Sequence, residues 1–186
     1  TLYDRLPSRH ASITHGVCAS VGVGGLVLGG GIGFNVRQHG LLIDQLLETE
    51  IVTAGGKLLR CNEKENADLF WACRGGGGGN FGINTSFTFQ TFPVDQVTVF
   101  NFVWTSKLDE LLSAALDLLP AMPERLGCTL VVETEVVGEL SMDLTGQYKG
   151  DPGDLRKLLA PLFRVAMPMK EEVRTMGYWE AQKTFL

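Results

Sequence analysis

Cys18 stands near the head of a glycine-dense run from Gly16 to Gly33, and a second run, Arg74 to Gly82, holds five consecutive glycines. A thiolate is a nucleophile, so a cysteine beside an electrophilic group can become its covalent tether. Closely spaced glycines let the main chain approach a large anionic group, and successive N–H groups can converge on phosphate oxygens without Lys or Arg. Ordering so much glycine costs backbone entropy, and a bound group offsets that cost. The pattern predicts a phosphate-bearing cofactor wrapped by backbone amides without a helix, with sulfur available to hold it. Two plainer readings stay open: a structural system of turns, and a cysteine that is a small buried hydrophobe.

Other chemistries fit less well. Gly77-Gly-Gly79-Asn-Phe-Gly82 formally matches GxGxxG, but that fingerprint works after a strand and before a helix, whose N-terminus holds the pyrophosphate. Here a short helix is predicted before it and a strand after it, so a Rossmann site is rejected. No GxxxxGK[ST] occurs, which removes a P-loop. His10, His15 and His39 form no metal-ligand spacing, and no metal is expected. Asp44, Glu48 and Glu50 read as a solvated face. Tyr3, Tyr148 and Tyr178 take no catalytic role from sequence.

The 186 residues suffice for one large or two small domains, and 45% of them are hydrophobic, within the globular range. A net charge of −5, from 16 basic and 21 acidic residues without long like-charged runs, argues against a nucleic-acid or anionic-membrane surface. No run reaches the ~18 apolar residues of a membrane span. Cys18, Cys61, Cys73 and Cys128 lack paired CxxC spacing and leave disulfides open. The opening Thr1-Leu-Tyr-Asp-Arg-Leu has no methionine and reads as the middle of a helix. That predicts a part of a longer protein, so location stays unknown.

Local patterning places these residues on a series of short elements. Leu2 and Leu6 predict a helix ending near Pro7. Glu50 to Arg60 predicts a hairpin, with Gly55-Gly56 supplying the positive φ angles of a two-residue turn. Asn66 is the expected N-cap of a helix over 67–74, stopped by Gly75. From Gly82 to Phe89, alternation predicts a half-buried strand with Ile83, Thr85, Phe87 and Phe89 on one face.

Texture changes at Pro93 to Gln96, which sets the domains at 1–93 and 94–186. Beyond it come a strand over Val97 to Trp104 and a helix capped by Ser106 with Leu108, Leu111, Leu112, Leu116 and Leu119 on one side. A hairpin turning at Gly138 is next, then a helix opened by Asp151 and Pro152 with Leu155, Leu158, Leu159 and Leu162 inward. A last helix begins near Tyr178. This order predicts an α+β layer, an antiparallel sheet with helices on one face.

Gly16-Val-Cys-x-x-Val-Gly-Val-Gly-Gly-x-x-x-Gly-Gly-Gly-x-Gly33, Arg37-x-x-Gly-Leu-x-x-Asp44, Ile51-Val52 and Asn66-Ala-Asp-Leu-Phe-Trp-Ala-x-Arg-Gly-Gly-Gly-Gly-Gly-Asn-Phe-Gly-Ile83 together resemble the FAD-linked oxidases of the vanillyl-alcohol oxidase superfamily. The nearest branch is that of the berberine bridge enzyme-like oxidases. The resemblance implies that 1–93 is the second subdomain of a PCMH-type FAD-binding domain and 94–186 the start of its substrate domain. It implies a missing first subdomain of the same protein as partner, with an attachment histidine before Thr1 and a catalytic base past Leu186.

The same resemblance puts Cys18 at the position bonded to flavin C6. Val21, Gly22, Gly24 and Gly25 then lie beside the ring and ribityl chain, and Gly30, Gly31, Ile32 and Gly33 near the pyrophosphate. Ile51 and Val52 fall beside the adenine. A valine at Val21, next to flavin C4a, is associated with oxidases in this family. Leu26 and Leu28 replace His and Ser of many plant members, which removes polar contacts. The expected activity is hydride transfer from a small-molecule substrate to FAD, with electrons passed to oxygen as hydrogen peroxide. The alternatives are a flavin dehydrogenase using another acceptor, or a non-catalytic glycine-rich scaffold.

Overall fold

A computed structural model of the chain describes residues 2–18, 20–136 and 139–185. They fall into two compact units, Thr1–Val94 with Phe185–Leu186, and Asp95–Thr184.

The first unit opens with α1 (Leu2–Arg5), a 3-10 turn at Pro7–Arg9, and the short strand β1 (Ala11–Ser12). The first glycine run comes after it and contains a helix, α2 (Val23–Leu28). The expectation of a helix-free wrap is thereby corrected. Leu26, Val27 and Leu28 pack inward and supply the apolar contact that fixes the turn. Next come α3 (Val36–His39), a 3-10 turn at Leu42–Gln45, β2 (Leu46–Val52), β3 (Leu58–Asn62), α4 (Ala67–Cys73), β4 (Ile83–Phe89) and β5 (Phe92–Pro93). The central strand β2 pairs antiparallel with both β3 and β4, and β5 pairs with β1.

Several local expectations change. The β2–β3 loop runs from Thr53 to Lys57, closed by Thr53 N–H donating to Lys57 O at 2.9 Å. In that loop Gly56 alone has positive φ, at 74°. Asn66 precedes α4 in a left-handed conformation, and its side chain caps nothing. Its Nδ2 instead donates to the Arg60 carbonyl at 2.7 Å, which ties the helix start to β3. On β4, Phe87 and Phe89 do pack inward, but Ile83 is 72% exposed. Bulges between Leu46 and Glu48 and between Glu50 and Ile51 re-aim the strand, which parity alone does not foresee.

The second unit is β6 (Gln96–Trp104), α5 (Leu108–Leu118), a 3-10 turn at Leu119–Ala121, β7 (Leu126–Val136), β8 (Glu139–Tyr148), α6 (Pro152–Val165), β9 (Lys170–Gly177) and α7 (Tyr178–Thr184). The strands form an antiparallel sheet of order β7-β8-β6-β9. Phe100, Phe102 and Trp104 of β6 and Met142, Leu144 and Tyr148 of β8 bury against Leu111 and Ala115 of α5 and Leu155, Leu159 and Leu162 of α6. The predicted α+β layer, helices on one face of an antiparallel sheet, is therefore seen.

Asp151 caps α6 as expected, accepting from Gly153 N–H at 2.7 Å, with Pro152 at the first helical position. Lys107, not Ser106, precedes α5 in a left-handed conformation, and Leu116 turns out to solvent at 63% exposure. The turn expected at Gly138 lies outside the described residues. Among the described residues, no helix is long and apolar enough to cross a membrane.

Candidate functional site

All the predicted site residues lie in the first unit, on a loop–helix–loop built by the first glycine run and on the central strand beside it. His15 anchors the entry. Its ring is buried, and Nδ1–H donates to the Gly16 carbonyl at 2.9 Å. Burial lowers its pKa from the ordinary histidine value, which keeps the imidazole neutral at pH 7. After Gly16 the chain emerges, and the Cys18 side chain is exposed.

Cys18 differs from the other three cysteines. All four are free thiols, but Cys61 and Cys73 are buried, and burial pushes both of their pKa values up. Cys18 Sγ lies 3.2 Å from Ser20 Oγ. The Ser20 hydroxyl, then the backbone N–H groups of Ser20 and Val21, lower the Cys18 pKa from its ordinary value. A sulfur in solvent, with donors gathered on it, is poised as a nucleophile. The reading of Cys18 as a buried hydrophobe is corrected.

From Gly22 the chain enters α2. Gly22 adopts an ordinary extended conformation, and a Cβ on Gly22 or Gly25 would meet no protein atom within 4 Å. Neither position requires glycine for the fold, so the missing side chains leave a stretch of bare backbone open a few residues after Cys18 in the chain. Gly24 is different, because a Cβ there would touch the Phe87 ring at 3.4 Å. Val21 is 50% exposed, close to the thiol in sequence.

The exit from α2 uses glycine for another reason. Gly30 and Gly31 have φ of 101° and 82°, and a Cβ on Gly31 would stand 2.5 Å from Leu42 Cβ. Their carbonyls accept from the N–H groups of Ile43 and Leu42 at 2.9 Å, locking the turn onto the buried 3-10 segment. A Cβ on Gly33 would overlap the His15 carbonyl. Between these tight positions Ile32 projects outward, 71% exposed. Ile51 is 1% exposed, a core residue of β2, and Val52 beside it is half-buried.

The second glycine run comes back onto the first. A Cβ on Gly78 would lie 3.3 Å from Leu28 Cβ at the end of α2. Gly82 has φ of 147°, and a Cβ there would overlap the Val52 carbonyl, so the run's exit is pressed against β2. The two glycine segments, distant in sequence, thus flank one helix and one strand.

Sequence reasoning passed over the polar network behind this loop. The Gln45 side chain accepts from Thr14 N–H at 2.9 Å and donates to Thr14 Oγ1 at 2.7 Å and to the His39 carbonyl at 3.0 Å. Thr14 Oγ1 donates to the Gly40 carbonyl at 2.9 Å. Gln45 sits in a run that sequence leaves mixed, and no periodicity flags it. Of the acids read as a solvated face, Glu48 accepts from Arg60 at 2.6 Å and Asn62 at 2.9 Å, which hold its carboxyl below the usual range. Asp44 accepts from Leu41 N–H at 2.9 Å. Among the described residues no three of His, Cys, Asp or Glu are grouped to hold a metal.

Flavin fits this arrangement on two structural observations: the bare backbone at Gly22 and Gly25, which a flat ring can lie against, and the exposed sulfur of Cys18 that precedes it in the chain. The FAD binding domain family matches residues 2–62, a span that holds Cys18, both bare glycines, Gly30 to Gly33, Ile51 and Val52. An FAD-linked oxidoreductase of Bacillus subtilis is 37% identical over 87% of this chain and 36% of its own length. The glucooligosaccharide oxidase of Sarocladium strictum is 36% identical over 89% of this chain and 33% of its own.

Among solved structures, a berberine bridge enzyme-like protein of Physcomitrella patens superposes with a TM-score of 0.88 at 28% identity, over 98% of this chain and 40% of that one. The glucooligosaccharide oxidase of Acremonium strictum, described with 6-S-cysteinyl, 8α-N1-histidyl FAD, superposes with a TM-score of 0.80 at 34% identity, over 97% and 38%. The chain therefore spans about two-fifths of the length of the proteins it matches, or less.

Proposed function

Because the chain belongs to the FAD-linked oxidoreductases of the vanillyl-alcohol oxidase superfamily, we propose that its first unit holds part of a flavin site in an oxidase. The flavin, when bound, takes a hydride from a carbon of a small-molecule substrate and gives its electrons to oxygen, forming hydrogen peroxide. The residues of this chain hold and tune it. Cys18, its sulfur exposed and its pKa lowered, is the thioether ligand to flavin C6. Gly22, Gly24 and Gly25 give the ring and ribityl chain a side-chain-free surface, and Val21 stands beside the reacting edge.

Gly30, Gly31, Ile32 and Gly33 border the pyrophosphate, and the adenine lies by Ile51 and Val52. Ile51 is buried, so its part is to shape the strand, and Val52 with its backbone is the contacting neighbour. Residues 1–93 form the C-terminal part of the FAD domain, and 94–186 the first part of a substrate domain.

The observation that carries this reading is the exposed Cys18 thiol, 3.2 Å from the Ser20 hydroxyl and followed in the chain by glycines that the fold itself does not require. The test is the absorbance of the full-length protein after denaturation and gel filtration, with mass analysis of the Cys18 peptide. We expect a peptide carrying flavin mass, lost in Cys18→Ala. A flavin-free Cys18 peptide from active enzyme refutes the sulfur tether, and a colourless, inactive protein refutes the oxidase.

A further inference from the structure

The five methionines of the chain have different surroundings. Met142, on β8, is fully buried in the core of the second unit, and Met122 and Met176 are half-buried. Met167 and Met169, on the segment joining α6 to β9, are 72% and 71% exposed.

That segment is pinned by other groups than these side chains. The Ala166 carbonyl accepts from Trp104 Nε1 at 2.9 Å, and the Val165 carbonyl from Lys107 Nζ at 3.2 Å. Met169 N–H donates to the Val103 carbonyl at 2.7 Å. These bonds fix the backbone on either side of Met167 to the end of β6 and the turn into α5, while two thioethers stand in water. Neither side chain contributes much burial, so making it polar costs the fold little.

A thioether in solvent is a two-electron reductant toward peroxide. The sulfur lone pair attacks one peroxide oxygen, and the S–O bond forms as the O–O bond breaks. The proton on the transferred oxygen goes to the departing hydroxide, so the products are a sulfoxide and water. Sulfur is oxidised by two electrons and the peroxide is reduced by two.

The two sulfurs are not equivalent. Thr105 Oγ1 donates to Met169 Sδ at 3.9 Å and occupies a lone pair that the attack needs. Among the described residues, Met167 Sδ has no such donor. At nearly equal exposure, that hydroxyl sets the order in which the sulfurs react.

We propose that Met167 and Met169 form a peroxide-oxidised site, with Thr105 holding the second sulfur back behind the first. The proposal rests on the oxidase reading only for the source of the oxidant, since hydrogen peroxide is that reaction's product. Sulfoxide reductases reverse the change, so peroxide is consumed here without loss of the fold.

The test supplies hydrogen peroxide as a reagent to the full-length protein, and tandem mass analysis follows each methionine with time. Met167 is expected to gain oxygen first and Met169 next. Both should react more than about tenfold faster than Met142, which reacts only through opening of the core. The urea unfolding midpoint should hold until Met142 is oxidised. Thr105→Val should raise the Met169 rate to that of Met167. The double variant Met167→Leu, Met169→Leu should lose the fast phase and keep the midpoint.

The site is overturned if Met142, Met122 or Met176 reacts as fast as the exposed pair, or if the midpoint falls when only the pair is oxidised. Equal rates at Met167 and Met169 in wild type remove the role given to Thr105. Because the peroxide is added, failure of the oxidase reading leaves this test standing, and slow oxidation of the pair leaves the flavin reading untouched.

Discussion

At the scale of single residues, Cys18 is set apart by the conjunction of exposure and donors, since either alone is ordinary. The depressed pKa means that its thiolate persists to lower pH than an unperturbed thiol's, because the hydroxyl of Ser20 and two backbone N–H groups stabilise the charged form. Iodoacetamide labelling of the flavin-free chain, resolved by peptide mass, should show Cys18 reacting before Cys61 and Cys73, with a half-maximal rate below the usual thiol midpoint. Ser20→Ala removes the largest of these contributions and should move that midpoint upward. Cys61 and Cys73, buried and shifted the other way, should label only on unfolding.

In the oxidase proposed above, Val21 is assigned to the oxidative half of the reaction, in which the reduced flavin meets oxygen. It is half exposed and adjoins the bare backbone, so an added methylene would occupy the space through which oxygen approaches. Val21→Leu in the full-length enzyme should slow reoxidation by oxygen in stopped-flow, while anaerobic reduction by substrate keeps its rate. Equal reoxidation rates would leave Val21 as packing only.

At the scale of elements, the glycines divide into those the fold requires and those it does not. Gly82, at φ 147° with its absent Cβ against the Val52 carbonyl, admits no side chain, and Gly82→Ala should cost about 3 kcal/mol or more in urea unfolding. Gly25 lies within α2 in open space, so Gly25→Ala should stabilise the helix by up to about 1 kcal/mol. Yet the same methyl would stand on the surface proposed for the ring, so flavin retention should fall as stability rises. Unchanged flavin retention would take Gly25 off the surface proposed for the ring, and a loss of both would show it to be structural.

This division was not legible in the sequence. A glycine looks the same whether its φ is 82°, as at Gly31, or its surroundings are empty, as at Gly22. Alternation did locate β4, and the stretch from Val97 to Trp104 was legible as the strand β6. Capping by Asn66 and Ser106 was misread because tertiary contacts outweighed local preference. Asn66 serves β3, and the turn into α5 is made by Lys107 at φ 53°. The six-residue helix inside the first glycine run was hidden for the same kind of reason. Its glycines are poor helix formers, and packing of Leu26, Val27 and Leu28 into the core overrides them.

At the scale of the whole molecule, the two units carry separate hydrophobic cores, one around Ile13, Val27, Leu42 and Ile51, the other around Phe102, Trp104, Leu144 and Leu159. Every residue proposed to hold flavin draws its position from the first. The sheet and helices of the second unit pack on their own core, so the proposed flavin residues and the second unit rest on different packing. Leu159 is fully buried between α6 and the sheet, and Leu159→Ala should cost about 2–5 kcal/mol through lost burial and the cavity it leaves. Trp104, buried in the same cluster with Nε1 donating to the Ala166 carbonyl at 2.9 Å, gives the fluorescence signal for that loss. Flavin retention in the full-length protein at 25 °C should stay at the wild-type level, because no proposed flavin contact is touched. Val27→Ala, in the first core beneath α2, should do the reverse, lowering flavin retention while the Trp104 signal keeps its midpoint. Loss of flavin in Leu159→Ala equal to that in Val27→Ala would mean that the two cores stand or fall together, and the division of labour between them would be wrong.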